Sequence, residues 1–299
     1  MVKSILITGA SGYLGSSLLA CLSNYKLYAI SRNFPEDKND LFPNVNFIAG
    51  DLNEESTFLN ALSLKPNIVI HTISLDHKMC EAKDIKEVFD VNVLLTWKLL
   101  EGFSNNGVEK FINFSTVQVY GNNLKEKLEL PKNKYGLTHL LSEEIVNFHN
   151  SQKLSCVNLR ICNCYGPPIF KNNNWDSLVI NQLTKSIYYK NQIFLASDGS
   201  AQKSFLNINE FNQIINEVVM SEERSYFPID ICSGNTISII DLAQLIISVY
   251  EKRYDKNPET NIYKILSNRG ESKLKTFKSK NYYSLEKGIN DLFDFFENQ

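Results

Sequence analysis

Ile5-Leu6-Ile7-Thr8-Gly9-Ala10-Ser11-Gly12-Tyr13-Leu14-Gly15 is the stretch on which the reading of this chain turns. A short β-branched run leads into a glycine-rich turn. Beyond it Leu14, Leu18, Leu19 and Leu22 recur at helical spacing, so the order is strand, glycine turn, helix. Glycines let a backbone approach a pyrophosphate, and a helix N-terminus offers unpaired N–H groups and a favourable dipole. Gly9, Ser11, Gly12, Tyr13, Leu14 and Gly15 are therefore the expected phosphate loop of a dinucleotide site.

Outward from this unit, Leu27 to Ser31, Val45 to Ala49, Ile68 to His71, Lys110 to Ser115 and Ser155 to Ile161 read as further strands. Helical stretches lie between most of them, among them Ser56 to Leu64, Val88 to Phe103 and a helix after Tyr135 marked by Leu137, Leu140, Leu141, Ile145 and Phe148. This alternation predicts an α/β fold, a six-strand doubly wound parallel sheet covered on both faces. After Pro167 the rhythm changes to a proline- and asparagine-rich stretch and short segments of mixed periodicity. Residues 1–166 are expected to form the dinucleotide-binding domain, with later segments returning to it. Residues 167–299 are expected to form mainly a smaller substrate lobe capping the carboxyl edge of the sheet, where ligands of such folds bind.

Composition narrows the function. The 31 basic and 33 acidic residues nearly cancel, and no long basic run marks a nucleic-acid surface. Cys21, Cys80, Cys156, Cys162, Cys164 and Cys232 form no CxxC pair, which fits reduced thiols in a cytoplasm. Cys162-Asn163-Cys164 matches no zinc spacing, so no metal is expected. The apolar run at the N-terminus is shorter than a signal core, and no segment approaches the ~20 apolar residues of a membrane span. The expectation is a soluble cytoplasmic protein. His71, His77 and His149 lack metal spacing and read as structural or surface residues, and Trp97 and Trp175 as packing residues.

Cofactor choice is read at the end of the second strand. NAD-preferring sites carry an acidic residue there for the ribose 2′-hydroxyl, whereas this chain has Ser31-Arg32-Asn33. Arg32 would attract a 2′-phosphate, so NADP(H) is favoured, with NAD(H) the alternative. Asp51-Leu52, closing the third strand, is placed for the adenine.

Phe114-Ser115-Thr116-Val117-Gln118-Val119-Tyr120-Gly121 ends the fifth strand, and Tyr135-Gly136-Leu137-Thr138-His139 opens the next helix. With the glycine loop and Leu159-Arg160-Ile161-Cys162-Asn163-Cys164-Tyr165-Gly166-Pro167, these segments resemble the extended short-chain dehydrogenase/reductase family over nearly the whole chain. The resemblance implies a Rossmann domain and action on a nucleotide-linked sugar in surface-polysaccharide synthesis. It implies that Thr116 hydrogen-bonds the substrate oxygen and that Tyr135 transfers the proton. It implies substrate contacts at Asn163, Lys203 and Arg269, and a homodimer built from the helices Val88 to Phe103 and Tyr135 to Phe148.

One position departs from the family pattern: His139 stands where YxxxK requires lysine. Ordinary imidazole, titrating near ~6.5, is mostly neutral at pH 7 and supports a phenolate weakly. Because a phenol already holds its proton at neutral pH, this loss handicaps oxidation more than reduction. Together with Arg32, it favours NADPH-dependent reduction of a nucleotide-linked 4-keto sugar. A nucleotide-sugar 4-epimerase with retained NAD is the alternative, and a non-catalytic nucleotide-sugar or dinucleotide sensor the second. The gap of 19 residues from Thr116 to Tyr135 is shorter than members with a longer loop show.

Overall fold

The computed structural model describes residues 2–121, 130–262 and 283–299. The chain divides into two compact units, Met1–Ile161 with Ile215–Asp230, and Cys162–Ile214 with Ile231–Gln299.

The first unit holds the sheet. Its strands are β1 (Ser4–Thr8), β2 (Lys26–Ser31), β3 (Asn46–Ala49), β4 (Ile68–His71), β5 (Lys110–Thr116) and β6 (Ser155–Ile161). Neighbours pair in parallel, Ile5 with Leu27 and Ile68, and Ile112 with Val157. Ile5, Leu6 and Ile7 are fully buried, as expected of a parallel strand covered on both faces. Helices α1 (Tyr13–Cys21), α2 (Lys38–Leu41), α3 (Glu55–Ser63), α4 (His77–Ala82), α5 (Ile85–Phe89), α6 (Leu95–Ser104) and α7 (Lys134–His149) make the connections.

Two features differ from the sequence reading. The sheet has seven strands in the order β3-β2-β1-β4-β5-β6 and then Ile229–Ile231, outside β6. Three residues after a proline carry too little periodicity to be read as a strand; pairing with β6 makes them one. The predicted continuous helix from Val88 to Phe103 contains a π-helical stretch, Asp90–Leu94, between α5 and α6. Buried Asn92 lies within that widened turn, and hydropathy cannot register such an inserted residue.

The return of the chain to the sheet is fixed by a charge. Lys110 at the start of β5 is buried, and its Nζ donates to the carbonyls of Val218 (3.0 Å), Val219 (3.4 Å) and Ser221. It thereby caps the C-terminal end of the helix Ile208–Met220, whose last carbonyls lack helical partners. Burial holds the ammonium pKa below its usual value.

The second unit pairs Asn163–Tyr165 with Phe205–Asn207 in parallel, and the strand Gln202–Lys203 with Ile237–Ser238 in antiparallel. The helices Val179–Lys190, Ile239–Tyr254 and Leu285–Glu297 pack on one another. Trp175 sits among Phe295, Phe296 and Lys185, the packing role expected of it.

Lys110→Met removes the cap from three carbonyls. It is expected to cost about 1–3 kcal/mol, read as a lower urea midpoint with an unchanged slope.

Candidate active site

The glycine turn owes its shape to three different constraints. Gly9 has φ +74°, and a Cβ there would lie 2.6 Å from Thr72 Oγ1. Its N–H, with that of Ala10, donates to the Ile30 carbonyl at 2.8 and 3.1 Å, fastening the turn to β2. A Cβ on Gly15 would lie 2.3 Å from the Gly9 carbonyl oxygen, so Gly15 lets α1 pack on the turn. Gly12 is the N-cap of α1 and has no side chain to satisfy the first N–H groups. No acidic residue lies in that first turn. Together these leave the helix N-terminus suited to an anion.

Ser11 Oγ and Ser31 Oγ are 2.6 Å apart, which joins the turn to the end of β2. Arg32 follows and is exposed. At the end of neighbouring β3, Asp51 Oδ1 accepts from Asn53 N at 2.9 Å, while Leu52 is buried and its carbonyl accepts from Lys98 Nζ. Tyr13 and Leu14, at the start of α1, are half-buried. Gly9, Ser11, Gly12, Gly15, Ser31, Arg32, Asp51 and Leu52 thus gather at the carboxyl ends of three adjacent parallel strands. The strand order reverses between β1 and β4, the crevice such sheets use for ligands.

Thr116 ends β5, is buried, and accepts from Gln118 N at 3.2 Å. Its hydroxyl hydrogen is left for another acceptor. Helix α7 is seated against this strand end by its own cap. Asn133 Oδ1 accepts from Gly136 N at 2.7 Å, and Asn133 Nδ2 donates to Gln118 Oε1 at 3.1 Å. A Cβ on Gly136 would lie 2.7 Å from the Gln118 carbonyl oxygen, so glycine permits the approach that brings Tyr135 beside the end of β5.

Tyr135 and His139 lie one helical turn apart, their rings edge to face at 4.5 Å. His139 is 4% exposed, and its Nε2 is buried without a hydrogen-bond partner. Desolvation lowers its pKa to about 4, so the imidazole is neutral where the family pattern has a cation. A buried, unpartnered ring nitrogen beside a phenol, together with the uncapped turn at Gly12, fits a dinucleotide whose ribose hydroxyls would partner His139.

Polar groups unforeseen in the sequence hold this constellation. Ser115 Oγ donates to Glu143 Oε1, and Arg160 binds the same carboxylate through Nε (2.9 and 3.1 Å) and Nη2 (2.5 Å). The Arg160 guanidinium lies 4.6 Å from the Tyr120 ring centroid, and Tyr120 Oη donates to Asp230 at 2.7 Å. A second chain runs from Thr8 Oγ1 to His71 Nδ1 (2.8 Å) and from His71 Nε2 to Thr96 Oγ1 (3.2 Å). It continues through Ser142, which donates to Thr96, and Asn113, which donates to Ser142 and Asn158. The signal was present in the strands: Asn113 and Ser115 alternate on β5 opposite Asn158 and Arg160 on β6.

In the second unit, Asn163 Nδ2 donates to the Ser204 carbonyl at 3.0 Å, and Lys203 is exposed on its short strand. Arg269 lies outside the described residues. The six cysteines are free thiols. Among the described residues no group of His, Cys, Asp and Glu could hold a metal ion, and no helix is long and apolar enough to cross a membrane.

The sheet order, the glycine turn at its point of reversal and the strand-end threonine beside a tyrosine-bearing helix define a Rossmann-type α/β protein. The model of the NAD dependent epimerase/dehydratase family matches residues 5–224, and the chain belongs to that family. It is 25% identical over 278 residues to a Dictyostelium discoideum dTDP-D-glucose 4,6-dehydratase, covering 83% of this chain and 62% of that one. A Vibrio cholerae UDP-glucose 4-epimerase is 28% identical, with 67% and 72% covered. The chain spans less than two thirds of the Dictyostelium enzyme and 41% of a trifunctional Arabidopsis thaliana relative. The crystal structure of the Bacillus cereus UDP-glucuronic acid 4-epimerase with UDP-glucuronic acid and NAD superposes with a TM-score of 0.79 at 25% identity, over 99% of both chains. A Thermotoga maritima UDP-glucose 4-epimerase shares the fold, with a TM-score of 0.82 at 21% identity and 99% of both chains covered.

Burial lowers the pKa of His71 to about 3, helped by the neighbouring His139. Unfolded histidine titrates near ~6.5, so the unfolded chain binds more protons and stability falls as pH drops below that value. Each imidazole is expected to remove up to about 1.4 kcal/mol per pH unit between about 6 and 4, measured by urea unfolding at pH 7 and pH 5. His139→Gln should flatten the dependence.

Proposed function

We propose that this chain is an NAD(H)-dependent nucleotide-sugar 4-epimerase. The observation that carries the reading is the seating of Tyr135 against the end of β5, where Asn133 and Gly136 fasten α7 to the Gln118 turn capped by Thr116. The epimerases and dehydratases among its relatives support it, and they weigh against the net reduction that His139 and Arg32 favoured in the sequence.

A bound dinucleotide supplies the hydride acceptor and donor. Gly9, Gly12 and Gly15 would hold its pyrophosphate at the N-terminus of α1, with Ser11 and Ser31 near the adenosine ribose. Tyr135 takes the proton of the sugar hydroxyl as the C–H hydride leaves, and returns it when hydride comes back to the other face. Thr116 donates to the same oxygen throughout, stabilising charge as it develops. Because hydride and proton both return, no external oxidant or reductant is consumed. His139, neutral by burial, offers a hydrogen bond to the cofactor ribose and no positive charge to Tyr135.

Purified protein should carry dinucleotide and interconvert C4-epimeric nucleotide sugars, resolved chromatographically, with no cofactor added. Tyr135→Phe should lower kcat by at least about 100-fold. His139→Lys should move the alkaline rise of kcat to lower pH, since a cation then favours the phenolate. Bound dinucleotide with no interconversion of any C4 pair sinks the epimerase reading.

NADP(H)-dependent reduction of a 4-keto sugar is the second reading, favoured by exposed Arg32 where an NAD site carries a carboxylate. It requires NADPH consumption with a keto sugar, reduced by Arg32→Ala.

Association with a second copy is part of the same proposal. Leu94 and Trp97 near the start of α6 are exposed, as are Leu137 and Phe148 on α7. Trp97 stacks on Phe148 at 5.8 Å. Such an apolar face on two adjacent helices suits a self-complementary interface. Sedimentation should show a dimer that Trp97→Glu with Phe148→Glu converts to monomer.

A further inference from the structure

Tyr135 has two imidazole neighbours of opposite character. One is buried His139. The other is His77, exposed at the first position of α4, its ring edge-on to Tyr135 with centroids 6.2 Å apart. His77 makes no hydrogen bond to any described residue. We propose that His77 is a specificity-determining residue that hydrogen-bonds a hydroxyl of the substrate's sugar ring beside the carbon at which Tyr135 acts. The inference rests on the epimerase reading of Tyr135, and deepens it by assigning a contact to the sugar and not to the nucleotide.

The placement of His77 is built. It follows β4, at the carboxyl edge of the sheet next to the reversal between β1 and β4. Ahead of it, Leu75 N donates to Asn92 Oδ1 at 2.8 Å and the Leu75 carbonyl accepts from Cys80 Sγ. Asp76 caps the helix by accepting from Met79 N at 2.8 Å. Behind it, Lys134 ties α4 to α7, its N–H reaching Glu81 Oε1 and its Nζ the Lys83 carbonyl at 3.1 Å.

The residue just before Tyr135 is thus fastened to the helix that His77 begins. Leu75 and Cys80 pack together, and Tyr135 packs against them. The backbone on both sides of the imidazole is held, while its ring nitrogens have no hydrogen-bond partner among the described residues. Next to a phenol that works on a sugar hydroxyl, a fixed donor and acceptor is positioned for the neighbouring hydroxyl.

The absence of metal spacing around His77 speaks against a ligand role toward metal and against no other role.

Affinity separates a sugar contact from ring packing. Holoprotein is titrated calorimetrically with UDP-glucose, with UDP-glucuronic acid and with UDP alone, for wild type, His77→Phe, His77→Gln and His77→Ala. His77→Phe keeps a ring against Tyr135 and loses the nitrogens. It should weaken nucleotide-sugar binding about tenfold, the loss of one hydrogen bond, leave UDP binding and Tm unchanged, and raise KM more than it lowers kcat. His77→Gln should recover part of the affinity.

Wild-type affinity for both nucleotide sugars in His77→Phe, with a fall in kcat only for His77→Ala, overturns the contact and leaves a packing role. A wild-type protein that binds a nucleotide sugar without interconverting it ends the epimerase reading, while the affinities still decide His77. Wild-type protein that binds neither sugar overturns both.

Discussion

The buried carboxylate of Glu143 is the point on which the first unit is organised. A charge in the interior is tolerated only when paired and hydrogen-bonded, and here three elements meet to satisfy it: Ser115 from β5, Arg160 from β6 and the α7 backbone that carries it. Each partner is next to a residue of the candidate site. Ser115 precedes Thr116, and Glu143 lies one turn beyond His139 and two beyond Tyr135. Sliding α7 along the sheet would leave a buried carboxylate and a guanidinium unpaired, so the electrostatics of Glu143 fix the register that sets the start of α7 against the Gln118 turn.

The same logic explains why the interior beneath the site is polar. Thr8, His71, Thr96, Ser142, Asn113 and Asn158 hydrogen-bond in succession between the sheet and its helices. An apolar core would bury more hydrocarbon, but it would also tolerate repacking. Directional bonds hold one arrangement of β1, β4, β5, α6 and α7, the elements that carry or flank the glycine turn, Thr116 and Tyr135. Within this setting a lysine at 139 would bring a charge into a position where desolvation keeps the imidazole neutral. A small imidazole can be neutral there and leave one nitrogen available.

What the sequence made legible divides along a physical line. The strands β1, β2 and β4 were readable because burial on both faces writes itself as near-continuous apolar runs, and the glycine turn because backbone conformation restricts residue choice at Gly9 and packing restricts it at Gly15. The strand Ile229–Ile231 and the π-helical turn around Asn92 were not, since each is decided by pairing with residues distant in sequence. Site residues follow the same division. Thr116, Tyr135 and His139 fall in local motifs, whereas Glu143 and Arg160 matter through a contact spanning 17 positions, and no local window contains both.

The reductase and epimerase readings differ in what they ask of one side chain. Loss of the lysine handicaps oxidation if the imidazole is the whole electrostatic environment of Tyr135. Burial of His139 makes the handicap larger, because a ring with its pKa lowered to about 4 is neutral at pH 7. Yet the proposed epimerisation uses oxidation and reduction in equal measure, and the proton that Tyr135 takes in the first half-reaction is returned in the second. A neutral neighbour slows the first half and favours the second. The balance between them would tune the lifetime of the keto sugar, and the proposed reaction closes its cycle without the lysine's charge, because it returns the proton to the same oxygen.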